Sequence, residues 1–207
     1  QIKNNINEFI GPDQFKKNRW FSLKDLLISK NKIFISFTEE IKESCWNTSI
    51  IYGDMNYENI VFKKLFSSKE CVHSLNNIDK EFNAHQSGGR IVSLDNNHIL
   101  LSIGDYRNRY LAQDKQSING KILKVNLNNS DYEIISMGHR NPQGLYLDKE
   151  NNFLIETEHG PQGGDEINLI DLREINKDEI RNFGWPISSY GEHYKGSVPK
   201  SSKEKYP

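Results

Sequence analysis

One arrangement of apolar and polar positions occurs three times along the chain. In Leu26 to Ser36 an apolar run leads into the polar turn Lys30-Asn31-Lys32 and is followed by a second apolar run. Arg90 to Ser102 repeats it around Asp95-Asn96-Asn97, and Leu145 to Glu156 repeats it around Asp148 to Asn152. Short runs rich in β-branched and aromatic residues on both sides of an Asn/Asp turn predict antiparallel hairpins. More strand-like stretches follow each one: Ser49 to Tyr52 and Asn59 to Phe66, then Lys121 to Asn126 and Tyr132 to Met137, then Glu166 to Leu172. No apolar period of 3.6 residues runs long enough to predict a major helix.

The unit is therefore about four strands, an antiparallel meander. Asn31, Asn97 and Asn152 mark equivalent turns, 66 and 55 residues apart. Repeats of this kind, with insertions, predict an all-β fold: a β-propeller of four-stranded antiparallel blades. The blades fall at about 20–80, 85–138 and 140–185, with a further blade beginning near Trp185, all in one partial domain, 1–207. A β-sandwich is the alternative, but it does not require three such similar hairpins. Propellers close with about four to eight blades. Three to four blades, with no closing strand at Lys205-Tyr206-Pro207, imply part of a ring.

Composition narrows the classes of partner. The 207 residues are 35% hydrophobic and 27% charged, enough for a domain with a core. A net charge of −1 implies no bulk attraction to nucleic acid or an anionic membrane. No apolar run approaches the roughly 20 residues of a membrane span. Gln1 to Ile10 is polar and lacks the apolar centre of a signal peptide. With no initiator Met, a processed or truncated start is expected, or else a cytoplasmic protein. Cys45 and Cys71 are too few for a disulfide framework and form no CxxC pair. Two unlinked thiols are the simpler reading; a single bridge in an oxidising compartment is the alternative.

Candidate chemistry lies in the loops that lead into the inner strands, which in a propeller converge on the mouth of the channel. His85-Gln86-Ser87-Gly88-Gly89-Arg90 precedes the second hairpin, and Gly138-His139-Arg140-Asn141-Pro142-Gln143-Gly144 precedes the third. His85 stands four residues before Gly89 and Arg140 four before Gly144, so superposed blades place both at one channel. A neutral base and a fixed cation facing one pocket suit alcohol oxidation. Glu158 to Glu166 adds carboxylates and uncrowded Gly/Pro carbonyls, which suit calcium better than a transition metal. The plainer alternatives are a hydrogen-bonded turn for His85 and a bridge between blades for Arg140. His73, His98 and His193 read as surface residues, His139 and His159 as possible pocket lining, and Trp185 as packing at a blade entrance.

Taken together, His85 to Arg90, Ile103-Gly104-Asp105, Asn119 to Leu123, Gly138 to Leu145, Glu158 to Pro161, Asp165 to Asn168 and Asn182 to Pro186 resemble the glucose/sorbosone dehydrogenase family. The match is close from about Phe82 to Pro186 and poor over Gln1 to Lys80. The resemblance implies a six-bladed propeller, exported to the periplasm or secreted, that oxidises an aldose or related alcohol with pyrroloquinoline quinone (PQQ) and Ca²⁺ and passes electrons to an external acceptor. It implies His85 as the base that takes the sugar hydroxyl proton and Asp105 as the group that orients and polarises His85. Arg140 is implied at the quinone oxygen, Asn141 as a second PQQ contact, and the Gly160 and Pro161 carbonyls as calcium ligands. This chain departs from the family at several points. Trp20 stands where a glutamine is common, Ala84 replaces an acidic residue before His85, and His159 stands where a Gln is familiar. The basic residues that grip the PQQ carboxylates belong to later blades. A family-related propeller that binds carbohydrate or a protein without turnover is the alternative function.

Overall fold

The computed structural model describes residues 1–77, 80–175 and 179–192; His193 and the Lys205-Tyr206-Pro207 terminus lie outside the described residues. The strands, in chain order, are β1 (Lys3–Asn4), β2 (Leu23–Ser29), β3 (Lys32–Lys42), β4 (Cys45–Asp54), β5 (Asn59–Ile60), β6 (Lys63–Phe66), β7 (Val72–His73), β8 (Gly88–Ser93), β9 (His98–Ile103), β10 (Lys121–Asn126), β11 (Tyr132–Met137), β12 (Pro142–Asp148), β13 (Phe153–Glu158), β14 (Glu166–Asp171) and β15 (Arg181–Asn182). Among the described residues helix is confined to α1 (Pro12–Lys17) and three short 3₁₀ turns. No described helix is long and apolar enough to cross a membrane.

Three sheets follow the three predicted hairpins. The first runs β2-β3-β4-β6, with β7 also on β4; the second runs β8-β9-β10-β11; the third runs β12-β13-β14. The first two hold the expected four-stranded meander. Among the described residues the third holds three strands, and β15 lies on the second sheet, parallel to β11. The inner strands β2, β8 and β12 lie side by side. Each carries a register shift near its start, at Leu23/Asp25, Gly88/Ile91 and Pro142/Gly144. Such bulges bend a strand and re-aim its side chains, here in the loops that hold the candidate chemistry.

Burial on both faces explains the unbroken apolar runs. Ile99, Leu101 and Ile103 of β9 and Leu123 and Val125 of β10 pack into one core with Trp46, Ile50, Phe34 and Phe37 of the first sheet. The alternate residues Leu100 and Ile122 pack the other way, with Leu154 and Ile170 of the third sheet. Successive strand residues face opposite sides, so a middle blade needs apolar residues at every position. Gly89 permits the close seam between the first and second sheets, and Gly88 the close approach to Gly104 and Pro142. Both have positive φ, and a Cβ on Gly89 would lie 2.5 Å from the Lys24 Cβ. Asp25 closes the same seam, accepting from Arg90 Nη1 (2.8 Å) and Ile91 N (3.0 Å).

The cysteines correct the simpler reading: Cys45 and Cys71 are joined in a disulfide. Antiparallel pairing of Trp46 with Val72 brings the two ends together. The bridge fixes a strap whose Glu70 carboxylate accepts from Ile118 N (2.9 Å) and Ser117 Oγ in the second sheet's loop. Closing a loop with a sequence separation of 26 is worth roughly 3 kcal/mol through the unfolded chain. The Cys45→Ala/Cys71→Ala protein is therefore expected to lose about that much in urea unfolding at pH 7, and a loss under 1 kcal/mol would show that the strap holds without the bridge.

Candidate active site

His85 sits in the loop before β8. Asn83 Oδ1 accepts from its backbone N–H (2.9 Å) and fixes the turn, while its carbonyl accepts from Gln143 Nε2 (3.4 Å). The imidazole is exposed and packs against the edge of Trp20, with ring centroids 5.3 Å apart. Among the described residues no side chain hydrogen-bonds the ring. Partial burial, reinforced by Lys24 and Arg19, lowers its pKa from 6.5, so the ring is neutral at pH 7 and free to accept a proton. Lys24 is itself lowered to about 8 by burial.

Behind this loop Asp105 is fully buried. Its carboxylate accepts from Arg107 N (2.8 Å) and Trp185 Nε1 (2.8 Å), and its own N–H donates to the Arg140 carbonyl (2.9 Å). Burial raises its pKa to about 6, against the lowering effect of Arg140 and these donors. Gln86 joins the two charges: with its amide oriented toward its neighbours, it donates to Asp105 Oδ1 (3.3 Å) and accepts from Arg140 Nη2 (2.8 Å). Asn119 Nδ2 supports the same loop by donating to the Gly104 carbonyl (3.2 Å).

Arg140 is only 6% exposed and is held along its whole length. Nη1 donates to the His159 and Gly160 carbonyls, both at 2.7 Å, and the guanidinium lies over the Trp185 ring. The Glu158 carboxylate accepts from the backbone N–H of Arg140 and of Asn141 (3.2 Å). Asn141 Oδ1 accepts from Gly88 N (3.1 Å), tying the loop before β12 to that before β8.

Glu158 belongs to a buried group. Leu154, Glu156 and Glu158 alternate along β13 and all point inward. His139 Nδ1 lies 3.3 Å from Glu158 Oε1 and 3.8 Å from Glu156 Oε2, and its Nε2 lies 2.8 Å from Ser136 Oγ. Asn168 Nδ2 donates to Glu156 (3.0 Å) and Glu158 (3.2 Å). Burial, and then the Glu158 charge, push the Glu156 carboxyl well above the usual carboxylate range.

Comparison with known proteins gives this constellation a context. A family model described as Glucose / Sorbosone dehydrogenase matches residues 23–207. The chain belongs to the glucose/sorbosone dehydrogenase family. It is 26% identical over 187 residues to the aldose sugar dehydrogenase YliI of Escherichia coli (strain K12), covering 84% of this chain and 47% of the relative. It is 30% identical over 158 residues to quinoprotein glucose dehydrogenase B of Acinetobacter calcoaceticus, covering 58% of this chain and 31% of that protein. Among solved structures, the apo soluble aldose sugar dehydrogenase of E. coli matches with a TM-score of 0.69 at 25% identity, over 87% of this chain and 54% of that one. The PQQ-bound aldose sugar dehydrogenase of Streptomyces coelicolor shares the fold, with a TM-score of 0.56 at 22% identity. The chain spans about half the length of the curated YliI relative and of the E. coli structure.

Of the residues that the family resemblance singles out, the structure gathers Asp105, Arg140, Asn141 and Gly160 into one network. His85 lies at its edge, one residue from Gln86. One expected link is missing: Asp105 does not orient His85, because its bonds go to Arg107, Trp185 and Gln86. Tyr106 and Arg107 both have positive φ, and the turn they form directs the Asp105 carboxylate back toward the Arg107 N–H. Trp185, read as packing, also donates to Asp105. The clamp that Glu158 puts on Arg140 and Asn141 was also missed, although its parity with Leu154 along a strand marks it as inward-facing.

The loop expected to hold calcium offers neutral oxygens. Gly160 O already accepts from Arg140 Nη1, and Pro161 O accepts from Gly164 N (2.8 Å). A carbonyl oxygen has two lone pairs, so each retains one for a hard cation, and the donor type fits calcium. A Cβ on Gly160 would meet the Gly164 carbonyl oxygen at 1.7 Å, so only glycine allows this loop to fold back on itself.

Proposed function

We propose that the whole protein is a PQQ- and calcium-dependent dehydrogenase that oxidises an aldose or a related alcohol and passes the electrons to an external acceptor. The observation that carries this reading is the buried Arg140 guanidinium, fixed by Gln86 and two carbonyls and set beside Asn141 at the edge of a loop bearing a neutral histidine. A disulfide fits a periplasmic or secreted location.

Arg140 and Asn141 would hold PQQ, and the Gly160 and Pro161 carbonyls would hold calcium. When bound, PQQ supplies a hydride acceptor and calcium supplies Lewis-acid polarisation. This chain's residues do the rest. His85, neutral and without a competing hydrogen bond among the described residues, takes the hydroxyl proton on its imidazole. Arg140 presents a fixed positive charge where negative charge develops, without reorganising as the reaction proceeds. Asp105 acts through Arg140 and Gln86, as a buried countercharge that keeps the guanidinium in place. Trp20, against His85, shields one side of the base from water.

The test is reconstitution of the full-length protein with PQQ and Ca²⁺, followed by dye reduction with a panel of aldoses. Turnover that needs both additions is the expected result. PQQ-independent behaviour with sugar binding but no turnover would overturn this reading in favour of a carbohydrate-binding propeller.

A further inference from the structure

We propose that His139, Glu156 and Glu158 form a binding site for a divalent transition metal of the zinc class, separate from the calcium loop. One nitrogen or oxygen atom from each of the three side chains lies within 4.8 Å of the other two, and all three residues are buried. Distances of 3.3 and 3.8 Å from His139 Nδ1 to the two carboxylates match the spacing of atoms that share one ion at about 2.0–2.2 Å.

Three features point to a cation rather than to a hydrogen-bonded cluster. First, Glu156 is fully buried and its Oε1 has no hydrogen-bond partner. An orphaned carboxyl oxygen in the interior is costly, with or without its proton, unless a cation displaces the proton and meets the oxygen. Second, His139 has the arrangement of a ligating imidazole: Nε2 meets Ser136 Oγ at 2.8 Å, leaving Nδ1 to face the two carboxylates. A histidine that binds metal through one nitrogen commonly donates from the other to a fixed partner. Third, Asn168 Nδ2 donates to Glu156 Oε2 and Glu158 Oε1, the same two oxygens that face His139 Nδ1, and so gathers the three candidate ligand atoms around one point.

The donor set selects the class of ion. One imidazole with two carboxylates suits zinc and its neighbours, whereas calcium takes oxygen ligands. Because Glu158 also clamps the Arg140 and Asn141 backbone, an ion here would stiffen the loop that carries them. The proposal does not depend on PQQ binding or turnover.

The experiment is Co²⁺ titration of the chelator-treated full-length protein, read by visible absorption and followed by Zn²⁺ competition. One equivalent of Co²⁺ is expected to give d–d bands that one equivalent of Zn²⁺ abolishes and a large excess of Ca²⁺ does not. Glu156→Gln, which keeps the side chain's shape, should weaken Co²⁺ binding at least tenfold. His159→Ala, which removes the exposed His159–Asp165 pair nearby, should leave it unchanged. Circular dichroism establishes that each variant is folded. Absence of stoichiometric bands in the folded protein, or bands that survive Glu156→Gln or vanish with His159→Ala, would overturn the proposal.

Discussion

Replacing His85 by alanine is expected to lower PQQ-dependent dye reduction by roughly 10²–10⁴-fold, the usual worth of a positioned general base, while leaving stability within about 0.5 kcal/mol. The two halves of that expectation rest on the same geometry. The imidazole is exposed and unbonded among the described residues, so truncation removes an edge contact with Trp20 and little else. A loss of activity can then be read as lost chemistry. Asp105 and Arg140 offer no such separation, because each is buried and holds the other in place. The pH profile supplies a second reading. His85 must be neutral to accept a proton, and partial burial with Lys24 and Arg19 holds its pKa below 6.5. The acid limb of kcat/KM should therefore fall below pH 6.5. Lys24→Gln removes one of the two cations, so the limb should move upward. Activity within tenfold of wild type in His85→Ala, or an acid limb that ignores Lys24, would place the base elsewhere.

Legibility of the fold follows from which interactions are local. The strands Lys121 to Asn126 and Tyr132 to Met137 were readable to the residue, because both are short apolar runs bounded by polar turns. The loops of the second and third sheets stood out as candidates because Gly88-Gly89 and the Arg140-Asn141-Pro142 run carry unusual backbone and charge requirements in few residues. What stayed hidden depends on distant partners. Trp185 meets Asp105 across 80 residues, and nothing near either residue announces the other. Among the described residues the third sheet holds three strands, and the short β15 pairs with β11 of the second sheet, a contact between residues more than 40 positions apart that no local pattern announces. The disulfide required the register of β7 on β4, and an edge strand of two residues has little pattern from which to read a register.

Glu158→Ala is expected to cost about 4 kcal/mol in urea unfolding of chelator-treated protein. The carboxylate satisfies two buried backbone donors, Arg140 N and Asn141 N, and also meets His139 and Asn168. Truncation orphans both N–H groups at about 1–3 kcal/mol each and leaves a cavity between β13 and the loop before β12. Glu158→Gln keeps one acceptor oxygen and the volume, so about half that loss is expected. The m-value should stay constant in both variants, since the surface exposed on unfolding does not change. PQQ affinity should fall with stability in the alanine variant, because Arg140 and Asn141 lose the group that fixes their backbone. A loss below 1 kcal/mol for Glu158→Ala would mean that the loop is held by Arg140's own side-chain bonds, and that Glu158 serves the His139–Glu156 cluster rather than the loop.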